Sequence, residues 1–199
     1  MKAGERVNEA LAKIDEANAQ DPRMDLVDGE PFPRELNFSK RMIAWLERLV
    51  EEPSEELRLA TRAYAIRRWK IPRDQFPMTT VGYHQWRNKL AQFHADETQT
   101  LLRAVGYPDQ QIEKIKALIT KKNWPQDDEA CALEDASCLA FLEIKLAEYL
   151  DTWDKSKMLR ILSGTIKKMT PAARTMALEL KLPKREVELL LEANALATA

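Results

Sequence analysis

The stretch that decides the fold is ACALEDASCLAFL, residues 130–142, the most hydrophobic run of the chain. Its only polar side chains are those of Glu134, Asp135 and Ser137, so a helix built from it is apolar almost all round. Such a helix is usually buried on more than one side. Burying a carboxylate without partners costs several kcal/mol, and we therefore expect both acids to be paired, protonated or bound to a metal ion.

The composition of the chain favours an all-α fold. The 199 residues include only 5 glycines, while Ala, Leu, Glu, Lys and Arg, which are good helix formers, are abundant. Alternation of polar and apolar residues, the mark of a half-buried strand, is nowhere sustained. We therefore predict a single compact domain of about seven to nine helices.

Charge and hydropathy narrow the class of protein. A net charge of -1 and a pI near 6.2 argue against a general nucleic-acid or membrane binder, and the lysine pairs 121–122 and 167–168 are expected on solvated faces. No apolar run reaches the roughly 18 residues of a membrane span, and the charged N-terminus does not resemble a secretory signal. Cys131 and Cys138 lie too far apart on one predicted helix for a disulfide and are expected to be buried. These features predict a cytoplasmic protein without membrane contact and leave its oligomeric state open.

Several residue types mark predicted helix boundaries. Ser39, Ser54 and Thr170 are expected to cap the N-termini of three helices. Gly106 is expected to end a long helix, because glycine adopts the left-handed conformation of a C-terminal cap. Residues 20–37 hold three prolines and a glycine and are expected to form an ordered loop or arm.

The segment 57–73 carries six positive charges and no negative charge. Guanidinium groups match phosphate oxygens bidentately, so this segment is a candidate clamp for a phosphorylated ligand. Alternatively, Arg62 or Arg67 pairs with the two acids of residues 130–142, and Arg68 is solvated. The two interpretations are compatible, because a carboxylate can orient an arginine for a ligand. The candidate phosphate-binding residues are Arg62, Arg67, Arg68, Arg73 and Trp69.

His94 is the more informative of the two histidines. On a helix it shares a face with Leu90 and Glu97, and neighbouring aromatic residues make that helix look half buried. One interpretation is a hydrogen-bonded histidine of the core. The other is a site that combines the imidazole with a carboxylate, because Asp96 and Glu97 follow closely.

A series of motifs resembles a known family. IDEANAQDP, RMIAWLERL, TRAYAIRRWKIPR, GYHQWRNKLAQFHADE, LEDASCLAFLE and KMTPAAR occur in this order along nearly the whole chain. Together they resemble an uncharacterised bacterial and fungal family that is often labelled glutamyl-tRNA synthetase by automatic transfer. The length and composition leave no room for the nucleotide-binding α/β catalytic domain that this label implies.

A more distant resemblance is to the HD superfamily of all-helical, metal-dependent phosphohydrolases. It implies that His94 and Asp135 are ligands of a divalent ion such as Mn, Fe, Ni or Zn. Two residues depart from the pattern: Ala65 stands where the first family usually shows histidine, and Ala95 rather than aspartate follows His94. The resemblance therefore implies a divergent or disabled site, from which the metal is absent unless other carboxylates have taken over.

The same resemblance suggests how the single domain, residues 1–199, is organised. Residues 1–38 form an N-terminal helix and ordered arm, residues 39–150 an HD-like core, and residues 151–199 the C-terminal helices.

Two hypotheses for function follow, and the sequence leaves both open. In the first, the protein is a hydrolase of a phosphorylated small molecule or nucleotide, with a metal-activated water and with Arg62 and Arg67 on the phosphate. In the second, it is a non-catalytic module that binds RNA, a nucleotide or a protein partner through segment 57–73. The candidate catalytic residues of the first hypothesis are Asp135, His94 and Glu134.

Overall fold

The computed structural model describes residues 3–198 and confirms the all-α class. This part of the chain forms ten α-helices, more than the expected seven to nine, together with two short 3-10 helices and one β-hairpin. The 3-10 helices are Arg68–Lys70 and Arg73–Gln75. The other elements are α1 (Ala3–Ala19), β1 (Met24–Val27), β2 (Glu30–Pro33), α2 (Arg34–Leu49), α3 (Glu55–Ala63), α4 (Thr80–Val105), α5 (Asp109–Ile119), α6 (Asp128–Ile144), α7 (Leu146–Thr152), α8 (Lys155–Lys168), α9 (Pro171–Leu178) and α10 (Lys184–Thr198).

The N-terminal arm differs from the prediction. Residues 20–37, expected to be a loop, contain the antiparallel hairpin β1–β2 and the start of α2. The hairpin turns at Asp28 and Gly29, whose φ angles of 52° and 86° are those that a tight two-residue hairpin turn requires. Because α2 begins well before Ser39, this residue is not an N-cap, and its hydroxyl donates to the Leu36 carbonyl at 3.0 Å.

The other predicted boundaries are confirmed. At the start of α3 the Ser54 hydroxyl accepts the backbone N–H of Leu57 at 3.1 Å. At the start of α9 the Thr170 hydroxyl accepts the N–H of Ala173 at 3.3 Å. Gly106 ends α4 with a φ of 84°, the left-handed conformation expected of a C-terminal cap.

Helix α6, which contains residues 130–142, lies at the centre of the fold. It packs against α2, α3, α5, α7, α8 and α9, and Leu133, Ala136 and Leu139 are completely buried. The expectation that this helix is covered on more than one side is therefore confirmed. A single apolar cluster extends from Val7 of α1 through α6 to residues of α10.

The chain between α3 and α4 makes a sharp turn that is held against α4. Arg67 has a left-handed φ of 50°, and the two 3-10 helices follow it. Arg73 donates to the Pro77 carbonyl at 2.8 Å, and Trp86 of α4 donates through its indole N–H to the Ile71 carbonyl at 2.9 Å. These bonds fix the segment beside the N-terminal half of α4.

Candidate functional site

A cavity of about 140 Å³ lies where the residues after α3, the middle of α4 and the end of α5 meet. On α4 the lining positions 87, 88, 91 and 94 recur at helical spacing and therefore share one face. Most of the polar lining groups carry a positive charge or can donate a hydrogen bond. The lining residues are Tyr64, Arg68, Arg87, Asn88, Leu90, Ala91, His94, Ile119, Thr120 and Lys121.

Two arginines, Arg68 and Arg87, meet at this cavity. Arg87 donates to the Tyr64 hydroxyl at 3.3 Å, and the Arg68 guanidinium lies over the Trp86 ring, 4.7 Å from its centroid. Among residues 3–198, neither guanidinium forms an ion pair with an aspartate or a glutamate. Burial and, after it, the charge of Arg87 lower the pKa of Arg68. The two cations therefore repel each other across a partly buried space.

Lys121 was expected on a solvated face, but it lies at the cavity between Glu134 and Tyr64. Its ammonium group forms an ion pair with Glu134 and lies 5.0 Å from the centroid of the Tyr64 ring. Burial would raise the pKa of Glu134, but Lys121 outweighs burial, and Lys168 also helps to hold that pKa below its ordinary value. Glu134 is thus paired, as predicted, but with a lysine, and it stands behind Lys121 and does not line the cavity.

The Tyr64 hydroxyl lies between two cations. Burial would raise the pKa of Tyr64, but the charges of Lys121 and Arg87 outweigh burial and lower it. Since the phenolic oxygen accepts the hydrogen bond from Arg87, its O–H remains able to donate. Tyr64 therefore adds a hydrogen-bond donor to the positive wall of the cavity.

His94 is only 3% exposed and lines the same cavity. Its Nδ1 lies 2.7 Å from the Ile66 carbonyl oxygen, and because a carbonyl can only accept, Nδ1 carries the proton. Burial and, after it, the charge of Arg68 lower the pKa of His94 to about 3, so the ring is neutral. Nε2 is then an acceptor, and within the described structure it is buried without a partner. The prediction of a hydrogen-bonded core histidine is confirmed for one ring nitrogen only.

Asp135 lies elsewhere and holds α9 in place. Its carboxylate accepts both the backbone N–H of Thr170 at 2.9 Å and the Thr170 hydroxyl at 2.6 Å. Burial raises the pKa of Asp135 and outweighs the opposing effect of these two bonds. Asp135 does not line the cavity to which His94 belongs, so the two residues predicted to act together are separated.

The arginines of segment 57–73 have different partners. Arg62 forms a bidentate pair with Asp15 at 2.5 and 2.6 Å, and Arg67 donates to Glu97 at 2.6 Å. The predicted pairing of these two arginines with the acids of α6 is therefore wrong. Its cause is geometric, since α1 and α4 lie closer to their guanidinium groups than α6 does.

Two other predicted phosphate-binding residues, Arg73 and Trp69, do not line the cavity. Arg73 donates to the carbonyls of the loop before α4, and Trp69 is half buried in the first 3-10 helix. Of the five predicted residues, Arg68 alone lines the cavity, where it is partly exposed.

Three further observations on residues 3–198 concern metal ligands, membrane spans and the cysteines. No group of three or more His, Cys, Asp or Glu side chains in this range is arranged to hold a metal ion, and His94 and Asp135 do not form one. None of the described helices combines the length and apolar character needed to cross a membrane. Cys138 is buried as expected, but Cys131 is partly exposed, because it lies in the first turn of α6 near the Pro125 carbonyl. Both thiols are free.

The candidate site residues predicted from the sequence did not include Tyr64, Arg87 or Lys121 of the cavity. One signal was available for Arg87, because it lies two helical turns before His94 and therefore on the same face of α4. No local pattern marks Lys121, whose partner Glu134 belongs to another helix.

Comparison with known proteins identifies the family. Residues 8–190 match the family described as Domain of unknown function (DUF4202). The chain belongs to this family. The predicted resemblance to an uncharacterised family is confirmed to that extent, whereas the HD resemblance stays a prediction. No curated protein and no solved structure shows a significant match to the chain.

Proposed function

We propose that this member of the DUF4202 family binds a small phosphorylated molecule in the cavity between α3, α4 and α5. The observation that carries the proposal is the pair Arg68 and Arg87, two guanidinium groups at one cavity without an ion-pair partner among residues 3–198. Burial and the neighbouring charge of Arg87 lower the pKa of Arg68 and so disfavour its charged form, and a bound anion removes that penalty. Guanidinium groups also match the oxygens of phosphate in geometry.

The remaining polar groups suit the same ligand. Lys121 supplies a third cation whose position is fixed by Glu134, and the hydroxyl of Tyr64 supplies a neutral donor. Glu134 balances one of the three positive charges, which leaves the cavity with a surplus of about two. That surplus matches the charge of a phosphomonoester near neutral pH.

The size of the cavity limits the ligand. A single water molecule needs roughly 10–15 Å³ of cavity volume, so the 140 Å³ of this cavity accommodate on the order of ten non-hydrogen atoms. A phosphorylated three-carbon compound fits this size. A nucleotide is larger and would leave its base outside, so we place small phosphorylated molecules before nucleotides.

A comparison of two arginines on α4 tests the proposal. Arg87→Gln removes a cation from the cavity, whereas Arg103→Gln removes an exposed one at the far end of the same helix, where Arg103 pairs with Asp109. A charge-assisted hydrogen bond is worth about 1.5–3 kcal/mol, so Arg87→Gln should weaken glycerol phosphate binding roughly ten- to a hundredfold. Isothermal titration calorimetry should show native affinity for Arg103→Gln. Equal affinities of the two variants would contradict the proposal.

Two further titrations address the functions that the sequence left open. The RNA hypothesis is tested with a short RNA that carries no terminal phosphate, so that all its phosphates are internal phosphodiesters. Its affinity must fall steeply with salt if segment 57–73 binds the backbone. Phosphorus NMR of glycerol phosphate incubated with the protein and Mn²⁺ tests the hydrolase hypothesis, since hydrolysis releases inorganic phosphate. Both hypotheses stay predictions, and binding without turnover is the result that the proposed function expects.

A further inference from the structure

The unpartnered Nε2 of His94 is a feature that anion binding alone does not explain. Three cations and the Tyr64 hydroxyl of the cavity are donors that suit an anion, whereas Nε2 is a buried acceptor. An anionic oxygen placed against a neutral imidazole lone pair would be repelled. Buried polar groups in folded proteins are almost always hydrogen-bonded, so an unpaired atom on a side chain that lines a cavity calls for a partner.

The proton on His94 cannot move to relieve this conflict without breaking another bond. Nδ1–H donates to the Ile66 carbonyl at 2.7 Å, which fixes the neutral tautomer. A second proton on Nε2 is opposed by burial and by the positive charges of Arg68 and Arg87. Nε2 therefore remains an acceptor.

No group of residues 3–198 donates a hydrogen bond to this nitrogen. The Thr98 hydroxyl donates to the backbone carbonyl of His94 and not to its ring. The Phe93 ring lies edge-on beside the imidazole, with centroids 5.8 Å apart, and offers no polar group. Tyr64, Arg68 and Arg87 line the cavity, but none of them hydrogen-bonds to Nε2.

We propose that His94 determines ligand specificity: its Nε2 accepts a hydrogen bond from an O–H group of the ligand, carried either by the phosphate or by the carbon chain. This inference rests on the proposed function and adds the hydrogen-bond donor of the ligand. Water can satisfy Nε2 while the cavity holds no ligand. A ligand that displaces this water without offering a donor leaves the nitrogen unsatisfied and loses affinity.

The donor can come from either of two parts of the ligand, and two pairs of probes separate them. Hydrogen phosphate and sulfate have the same shape and charge at mildly alkaline pH, but only the former carries an O–H on the anion. Glycerol phosphate and propyl phosphate share a phosphate and a three-carbon chain, but only the former carries hydroxyls on the carbon chain. The pair that the protein discriminates shows which part of the ligand faces His94.

The experiment measures these four affinities by calorimetry for the native protein and for His94→Asn. Asparagine keeps an N–H for the Ile66 carbonyl but has no acceptor at the position of Nε2. We expect the native protein to prefer the hydroxyl-bearing member of at least one pair by roughly tenfold or more. In His94→Asn that preference should fall to about twofold or less, with the circular dichroism spectrum unchanged.

The possible outcomes distinguish the role of His94 from the proposed function. Native protein that binds both members of both pairs equally well overturns the role of His94 and leaves the proposed function standing, and this result needs no variant. A preference that survives in His94→Asn overturns the role of His94 as well. Absence of binding for all four probes overturns the proposed function, and the inference with it.

Discussion

At the scale of single residues, the acids of α6 have opposite surroundings although they are adjacent in sequence. Glu134 faces lysine side chains beside the cavity, whereas Asp135 accepts two hydrogen bonds from Thr170 at the start of α9. Adjacent residues of a helix point about 100° apart, so a helix between several neighbours directs them into different interfaces. Asp135 is therefore a structural acceptor.

This assignment predicts a loss of stability in Asp135→Asn. The amide would direct either a second donor or a weaker neutral acceptor at the Thr170 N–H, so we expect the free energy of unfolding to fall by about 1.5–3 kcal/mol. Urea titrations of Asp135→Asn, Thr170→Ala and the double variant measure the coupling between the two residues. Effects that simply add, within about 0.5 kcal/mol, would contradict a direct interaction.

A second prediction at this scale concerns pH. The pKa of His94 is about 3 in the folded protein, below its ordinary value of 6.5. Between these two pH values the unfolded chain therefore binds a proton at His94 that the folded protein does not bind. The contribution of the neutral His94 to the free energy of unfolding is complete above pH 6.5. This contribution declines as the pH falls from 6.5 towards 3, at about 1.4 kcal/mol per pH unit. Urea titrations between about pH 6 and pH 5 should therefore show a flatter pH dependence for His94→Asn than for the native protein. The exposed His84 is the matched control, and His84→Asn should retain the native slope.

Residue chemistry also limits what the sequence could predict about the site. That Glu134 and Asp135 have partners follows from the cost of burying a charge, and this prediction is confirmed. The partners themselves are distant: Lys121 and Thr170 belong to other elements. For the same reason, the pairing of Arg62 with Asp15 of α1 had no local signal.

At the scale of elements, α4 contributes Arg87 and His94 to the cavity, and the loop before this helix sets its position. Gly82 lies in the first turn of α4, where an added Cβ would be 2.1 Å from the Pro77 carbonyl oxygen. The same oxygen accepts a hydrogen bond from Arg73, which ties the loop to the segment after α3. The close approach of backbone to backbone thus requires glycine at this position.

Two glycine variants test this packing. In Gly82→Ala the new methyl group collides with backbone and not with a flexible side chain, so α4 and the loop must move apart, at a cost of about 1–3 kcal/mol. Gly164→Ala, in α8, is the control, because no atom lies within 4 Å of its added Cβ. Alanine there should stabilise the helix by up to about 1 kcal/mol. Thermal melts that rank the two variants equally would contradict this account of the loop.

The elements themselves were largely predictable where local chemistry controls them. Ser54, Thr170 and Gly106 mark helix ends as expected, because capping depends on a few neighbouring atoms. The hairpin of residues 24–33 was missed, since its prolines indicated a loop, although the Asp28-Gly29 pair favours a tight hairpin turn.

At the scale of the whole molecule, one apolar core joins the N-terminal and C-terminal helices. The cluster includes Val7 of α1, the inner face of α6 and Leu190 of α10. Asp135 adds a polar link between α6 and α9. A continuous core of this kind favours cooperative unfolding.

We therefore expect a single unfolding transition. Helix content followed by circular dichroism and tertiary structure followed by tryptophan fluorescence should give coincident urea curves. Trp45 and Trp153 report from α2 and from the junction of α7 and α8, so the fluorescence covers both ends of the chain. An earlier transition for residues 155–198 would show that α8, α9 and α10 fold separately.

The sequence by itself determined the helical class, the central place of the helix around residues 130–142, and the need of its two acids for partners. These properties depend on composition, helical periodicity and the cost of buried charge, all of which act over a few residues. Only the tertiary structure decided which groups meet. Arg68, Arg87 and Lys121 belong to three different segments. His94 lines the same cavity with one ring nitrogen hydrogen-bonded and the other without a partner among residues 3–198. The packing of helices sets such contacts, because it depends on the whole core and on no single stretch of the chain.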